Sequence, residues 1–157
     1  MSENGTRLKH KRRFSWDSIA SSTGWDTGVH KWHITCNARD TTYHYVLAGV
    51  VSTYPHNSKD MKGKHFWSND CFGTVYCYCA NHGCIYSVQN GSEKTLKSDL
   101  SKWSEGEVLC MVCDMDECVL SWYVNDDKLY TAHIEPHITY YPAMCMELTP
   151  HDYKLVC

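Results

Sequence analysis

Apolar and polar residues alternate along much of this chain with a period of two. In residues 31–36, Trp32, Ile34 and Cys36 fall on one side, and Lys31, His33 and Thr35 on the other. Successive side chains of an extended strand point to opposite faces, so this pattern predicts a strand covered on one face. Residues 43–51 form a longer, nearly continuous apolar run, again read as a strand. Residues 74–79 alternate Val75 with Tyr76 and Tyr78. The turn residues Asn81-His82-Gly83 and a second apolar run at 84–88 follow, which together predict a hairpin.

A second hairpin is clearer. Residues 108–113 are apolar throughout, as a central strand buried on both faces would be. Asp114-Met115-Asp116-Glu117 makes a polar turn. Residues 119–124 return with Leu120, Trp122 and Val124 on one face. Asn125-Asp126-Asp127 supplies the next turn, from residue types that tolerate left-handed backbone. Further strands are expected at 141–148, after Pro136 and Pro142, and at 153–156. Helical spacing is scarce: Leu96 and Leu100 suit one helical turn, but Gly106 soon follows Trp103. Short strands separated by turn signals predict an all-β protein, a two-sheet antiparallel sandwich or a small barrel.

Length and charge narrow this further. The chain has 157 residues, enough for one domain with one sizeable core. Residues 1–13 are polar and end in Lys9-His10-Lys11-Arg12-Arg13, which reads as a flexible basic tail, with a nuclear-import patch as the alternative. Residues 14–157 then form the domain. The net charge of −3 is unlike that of a general nucleic-acid binder. The apolar run at 43–51 contains His44 and Gly49 and is far too short to span a bilayer. No signal-peptide core follows Met1, so an intracellular location, cytoplasmic or nuclear, is expected. In that setting the ten cysteines read as reduced, packed thiols.

The residue types admit three chemistries. Cys71, Cys77, Cys79, His82 and Cys84 are natural zinc ligands, and the set Cys77, Cys79, His82 and Cys84 would be the metal site of a zinc-stabilised domain. Against it, the usual knuckle places two residues between cysteines, whereas Cys77 and Cys79 flank a single one. The ten cysteines and ten histidines also admit a cysteine-dependent enzyme. No nucleophile elbow or cysteine-protease signature supports it, and Gly63-Lys64 lacks the upstream glycine of a phosphate loop. The favoured reading is therefore no enzyme and no cofactor. Loop aromatics support binding instead. Tyr54, Pro55, His56 and Asn57 form a turn after a buried strand, with Phe66 and Trp67 beyond it. Large amphipathic side chains on anchored loops make good interface anchors, while Phe66 and Trp67 equally suit a cap on the core.

Four segments in order carry a family resemblance. Gly28-Val29-His30-Lys31-Trp32-His33-Ile34 resembles the opening motif of the SPRY (B30.2) family. Residues 46–51, ending in Ala48-Gly49-Val50-Val51, are similar to its next core strand. Residues 105–114 with Leu120-Ser121-Trp122-Tyr123-Val124-Asn125 resemble its central hairpin. Tyr141-Pro142-Ala143-Met144 is similar to its late proline-led strand. The resemblance runs from about Gly28 to the C-terminus. Departures are His33 where an acidic residue is common, Cys118 where glycine is frequent, and a short segment before Gly28.

The resemblance implies a SPRY/concanavalin-like jelly roll without a catalytic centre. It also implies a monomeric module that binds a protein or short peptide through loops at one end, as an adaptor in ubiquitin-ligase or signalling assemblies. In the SOCS-box-linked branch, part of an aromatic peptide pocket would fall near Glu147, Leu148 and Thr149. That branch has a tryptophan there and this chain has none, so its peptide specificity is not transferred. The expected site joins Tyr54, Pro55, His56, Asn57 and Trp67 to the Glu147, Leu148 and Thr149 corner.

Overall fold

A computed structural model describes residues 6–9, 16–38, 45–54, 66, 72–147 and 152–156. Among the described residues, twelve strands form two antiparallel six-stranded sheets. The first sheet takes the order β1 (Thr6–Lys9), β12 (Asp152–Val156), β3 (Val29–Ala38), β8 (Val108–Asp114), β9 (Val119–Val124), β10 (Asp127–His133). The second takes the order β2 (Trp16–Ala20), β11 (Tyr141–Glu147), β4 (Val46–Val51), β5 (Val75–Cys79), β6 (Cys84–Gln89), β7 (Ser92–Lys97). The expected two-sheet sandwich is the observed architecture.

The period-two pattern explains how the sheets meet. Trp32, Ile34 and Cys36 of β3, Leu109, Met111 and Cys113 of β8, and Leu120, Trp122 and Val124 of β9 all enter one core. They face Val46, Ala48 and Val50 of β4, Tyr76 and Tyr78 of β5, and Met144 and Met146 of β11. Fully buried aromatics dominate this layer, and each removes about 150–250 Å² from water.

The continuous apolar run of β4 has its own cause: this strand is buried on both faces. Leu47 and Val51 point away from the central core into a second cluster with Phe66, Phe72, Val75, Cys77, Cys79, Ala143 and Cys145. Phe66 and Phe72, from the connection between β4 and β5, cover this outer face, edge to face with ring centroids 5.5 Å apart. Phe66 is thus a core cap. Gly49 is required in this packed strand, because a Cβ there would overlap the Tyr76 carbonyl oxygen.

Several elements differ from the sequence-based expectations. Thr6–Lys9, inside the segment read as a tail, forms an edge strand paired to β12. Leu96 lies on β7 rather than on a helical turn. Both β7 and β10 were missed as strands. Both lie at sheet edges; β7 is almost wholly exposed and β10 opens on Asp127 and Lys128, and such exposed edge charges discourage unwanted pairing and blur the alternation that marks a half-buried strand. Strand β8 is also less enclosed than its composition suggests: Val108 and Val112 are only half-buried, because its outer face is not covered as that of β4 is.

Candidate partner-binding end of the sandwich

The antiparallel register fixes which loops share an end. Tyr141 lies opposite Val51, and Met146 opposite Val46. Tyr54, just past β4, therefore leaves the sheet beside the start of β11, whereas Glu147 ends β11 at the far side. Six steps along the strand lead from Tyr141 to Glu147, roughly 20 Å. The single site expected to join Tyr54 to the Glu147 corner is thus corrected: these two positions leave from opposite ends. Pro55, His56, Asn57, Trp67, Leu148 and Thr149 lie outside the described residues, as do residues 10–15.

The Tyr54 end is built on a short bridge. The backbones of Trp25 and Tyr140 exchange hydrogen bonds, at 2.8 Å from the Trp25 amide and 2.9 Å from the Tyr140 amide. Tyr140 points into the central core and packs edge-on against Tyr76. Tyr141, the next residue, turns outward and meets the Tyr54 ring at 5.4 Å between centroids. Gly24 lets Tyr141 lie close, since a Cβ there would come within 2.7 Å of the Tyr141 ring. On the other side of the bridge, half-buried Trp25 stacks on His30 with ring centroids 4.7 Å apart and planes 4° from parallel. It also meets Trp32 edge-on at 6.3 Å.

Turns beside these rings are tied down. Asp116 accepts a hydrogen bond from the Gly28 amide through a carboxylate oxygen, and the Met115 amide donates to the Gly28 carbonyl. Asp114 Oδ1 accepts from the amides of Asp116 and Glu117. Gly28 adopts φ of 75°, where glycine is favoured. Val29, next to it, is 63% exposed. At the same end, the Gln89 amide donates to Glu135. The result is a rim where Tyr54, Tyr141 and Trp25 remain partly open on a fixed backbone. Sequence reasoning singled out Tyr54 but missed Trp25 and Tyr141. Trp25 close before Gly28, and Tyr141 before Pro142, were the signals available.

Of the proposed zinc ligands, Cys71 lies outside the described residues, and Cys84 faces Cys79 across the β5–β6 hairpin. Cys77 and Cys79 point into the outer cluster of the second sheet, and His82 is exposed on the β5–β6 turn, edge-on to Tyr45 at 4.8 Å. Burial pushes the Cys77 thiol well up, with Cys79 adding to the effect. Among the described residues, no group of three or more His, Cys, Asp or Glu side chains could hold a metal ion.

A shallow depression of about 390 Å³ opens on the outer face of the first sheet, lined by His33, Val108, Cys110, Asn125 and Asp126. His33 and Cys110 are cross-strand partners there. Burial and then the Lys31 charge lower the His33 pKa, while burial raises that of Cys110. Both shifts favour neutral imidazole and neutral thiol, the opposite of an activated thiolate.

No protein-family model and no curated protein matches the sequence. Solved structures do match the fold. The SPRY domain of human HERC1 is 20% identical, with a TM-score of 0.71 over 99% of this chain and 91% of that one. The TRIM65 PSpry domain is 18% identical, with a TM-score of 0.61 over 96% of this chain and 81% of that one. A carbohydrate-binding module, CBM66 from Bacillus subtilis, is 12% identical, with a TM-score of 0.54 over 99% and 91%. These likenesses show the fold: the chain folds as a SPRY-like β-sandwich.

Proposed function

We propose that this protein is a non-catalytic recognition module that binds a protein or short peptide through the end of the sandwich carrying Tyr54. The observation that carries the reading is the contact of Tyr54 with Tyr141, a ring pair left half-open above a bridge anchored in the core. Aromatic rings held this way lose little conformational freedom on binding, so burying them yields affinity at low entropic cost. The likeness to SPRY domains supports the same reading, and by the family resemblance the proposal includes an adaptor role in ubiquitin-ligase or signalling assemblies. Pro55, His56, Asn57 and Trp67 belong to this proposed surface through their place in the chain, next to Tyr54 or within the connection from β4 to β5.

The module acts as a monomer in an intracellular, cytoplasmic or nuclear setting, with no nucleic-acid or membrane partner in this reading. Affinity capture with the wild-type protein, followed by titration of the purified partner against Tyr54→Ala, tests it. Weaker binding by the variant is expected. Unchanged affinity of a correctly folded Tyr54→Ala protein overturns this choice of end.

A further inference from the structure

The hairpin of β5 and β6 holds a feature that partner binding does not use. Cys79 and Cys84 are direct cross-strand partners, closing the turn at residues 80–83. Strand neighbours in this relation have Cα atoms about 4.5–5.5 Å apart. A disulfide accepts Cα separations of about 4.4–6.8 Å, so the backbone needs little movement to bridge them. Cys79 lies in the outer cluster of the second sheet. Tyr86, two residues beyond Cys84 on the same strand face, packs against that cluster. The two thiols therefore share one face. They are not disulfide-bonded in this structure.

Their exposures differ in a useful way. Cys79 is fully buried, whereas Cys84 is half-buried and its thiol rests on the His82 carbonyl at 3.5 Å, a weak contact. The turn is also well anchored. Its Asn81 side chain accepts from the Val46 amide, the Ala80 amide donates to the Val46 carbonyl, and the Gly83 carbonyl accepts from the Leu100 amide. This anchoring holds the two cysteines opposite each other.

We propose that Cys79 and Cys84 form a reversible redox pair, with Cys84 the attacking thiol and Cys79 the resolving thiol, oxidised by a low-molecular-weight disulfide such as glutathione disulfide. The Cys84 thiolate attacks one sulfur of glutathione disulfide. A Cys84–glutathione bond forms, and one glutathione leaves as thiolate and takes up a proton. Cys79 then loses its proton and attacks the Cys84 sulfur, expelling the second glutathione. Two protein S–H bonds and one glutathione S–S bond are lost. One protein S–S bond and two glutathione thiols are gained, so the protein is oxidised by two electrons and glutathione disulfide reduced by two. The bridge joins β5 to β6 at the turn on which β4 and the Leu100 segment hang, and so stiffens the end of the sandwich opposite Tyr54.

The test incubates the folded full chain with glutathione disulfide, blocks remaining thiols, and maps peptides by mass spectrometry. The expected product has lost two hydrogens and carries a Cys79–Cys84 cross-link that a dithiol reductant reverses. Cys79→Ser should instead trap a stable glutathione adduct on Cys84. Cys84→Ser should abolish both adduct and bridge. The wild-type map alone decides the matter if either variant folds poorly. A wild-type protein that ends as a lasting Cys84–glutathione adduct, that bridges other cysteines, or that stays fully reduced contradicts the proposal.

Discussion

The Trp122 indole nitrogen, on β9, donates a hydrogen bond to the Ala48 carbonyl on β4, 3.3 Å away across the sandwich. One residue thus joins the two sheets by polar contact as well as by packing, at a position where Trp122 is fully buried. Trp122→Ala should destabilise the fold by about 3–5 kcal/mol, as large aromatic truncations in cores do. Trp122→Phe should cost less, about 1–2 kcal/mol, from the smaller ring and the lost indole hydrogen bond, since the Ala48 carbonyl stays within the β4–β5 ladder. Urea unfolding of both variants checks the order.

Gly49 makes a sharper prediction, because the smallest possible side-chain addition there meets backbone. A Cβ would overlap the Tyr76 carbonyl and come within 2.6 Å of the Cys77 Cα. Gly49→Ala should therefore destabilise by about 1–3 kcal/mol, even though alanine is otherwise the better strand residue. Thermal unfolding measures this directly. An unchanged melting temperature would mean that β4 and β5 can separate at no cost.

Much of the scaffold was legible for the reason these two residues illustrate. Trp32, Ile34 and Cys36, and Leu120, Trp122 and Val124, alternate because one face of their sheet packs on a core. The 46–51 run is continuous because β4 is buried twice. Strand β7 stayed hidden because Ser92, Glu93 and Lys94 are exposed at a sheet edge, and β10 because exposed Asp127 and Lys128 precede Leu129 and Tyr130, which only partly enter the core. The site was harder still. Tyr54 could be picked out by its turn, but its relation to Glu147 depends on the pairing of β4 with β11, which local residue types do not encode. Trp25 and Tyr141 gained their significance only from the Trp25–Tyr140 bridge.

Alkaline pH should weaken the fold. Burial, followed by Asp114 and Cys118, pushes the Cys113 thiol from its ordinary 9.0 up to about 12. Burial raises the thiols of Cys77 and Cys110 as well. In the unfolded chain these groups lose their protons near 9, while the folded chain keeps them. The folded state then binds more protons, so stability falls as pH rises above about 9 and goes on falling toward 12. Melting temperatures recorded from neutral to alkaline pH should show this decline, and Cys113→Ala should make it shallower.

His33 acts at the acid side. Its folded pKa lies below the ordinary 6.5, from burial and the nearby Lys31 charge. As pH falls through 6.5 the unfolded chain takes up a proton first. Stability therefore drops from there down to the lowered folded pKa and then levels off with respect to this group. His33→Gln should flatten this part of the profile. A histidine NMR titration should show His33 titrating below 6.5 in the folded protein.

The central claim concerns which end of the sandwich binds. Tyr54→Ala alters one end, and Leu148→Asp follows Glu147 at the other. The decisive measurement is the affinity of one purified partner for the wild-type protein and for both variants, each first shown by thermal melting to be folded. Tyr54→Ala should lose at least tenfold, about 1.4 kcal/mol, while Leu148→Asp keeps near wild-type affinity. Retained binding by Tyr54→Ala with loss in Leu148→Asp would contradict the claim.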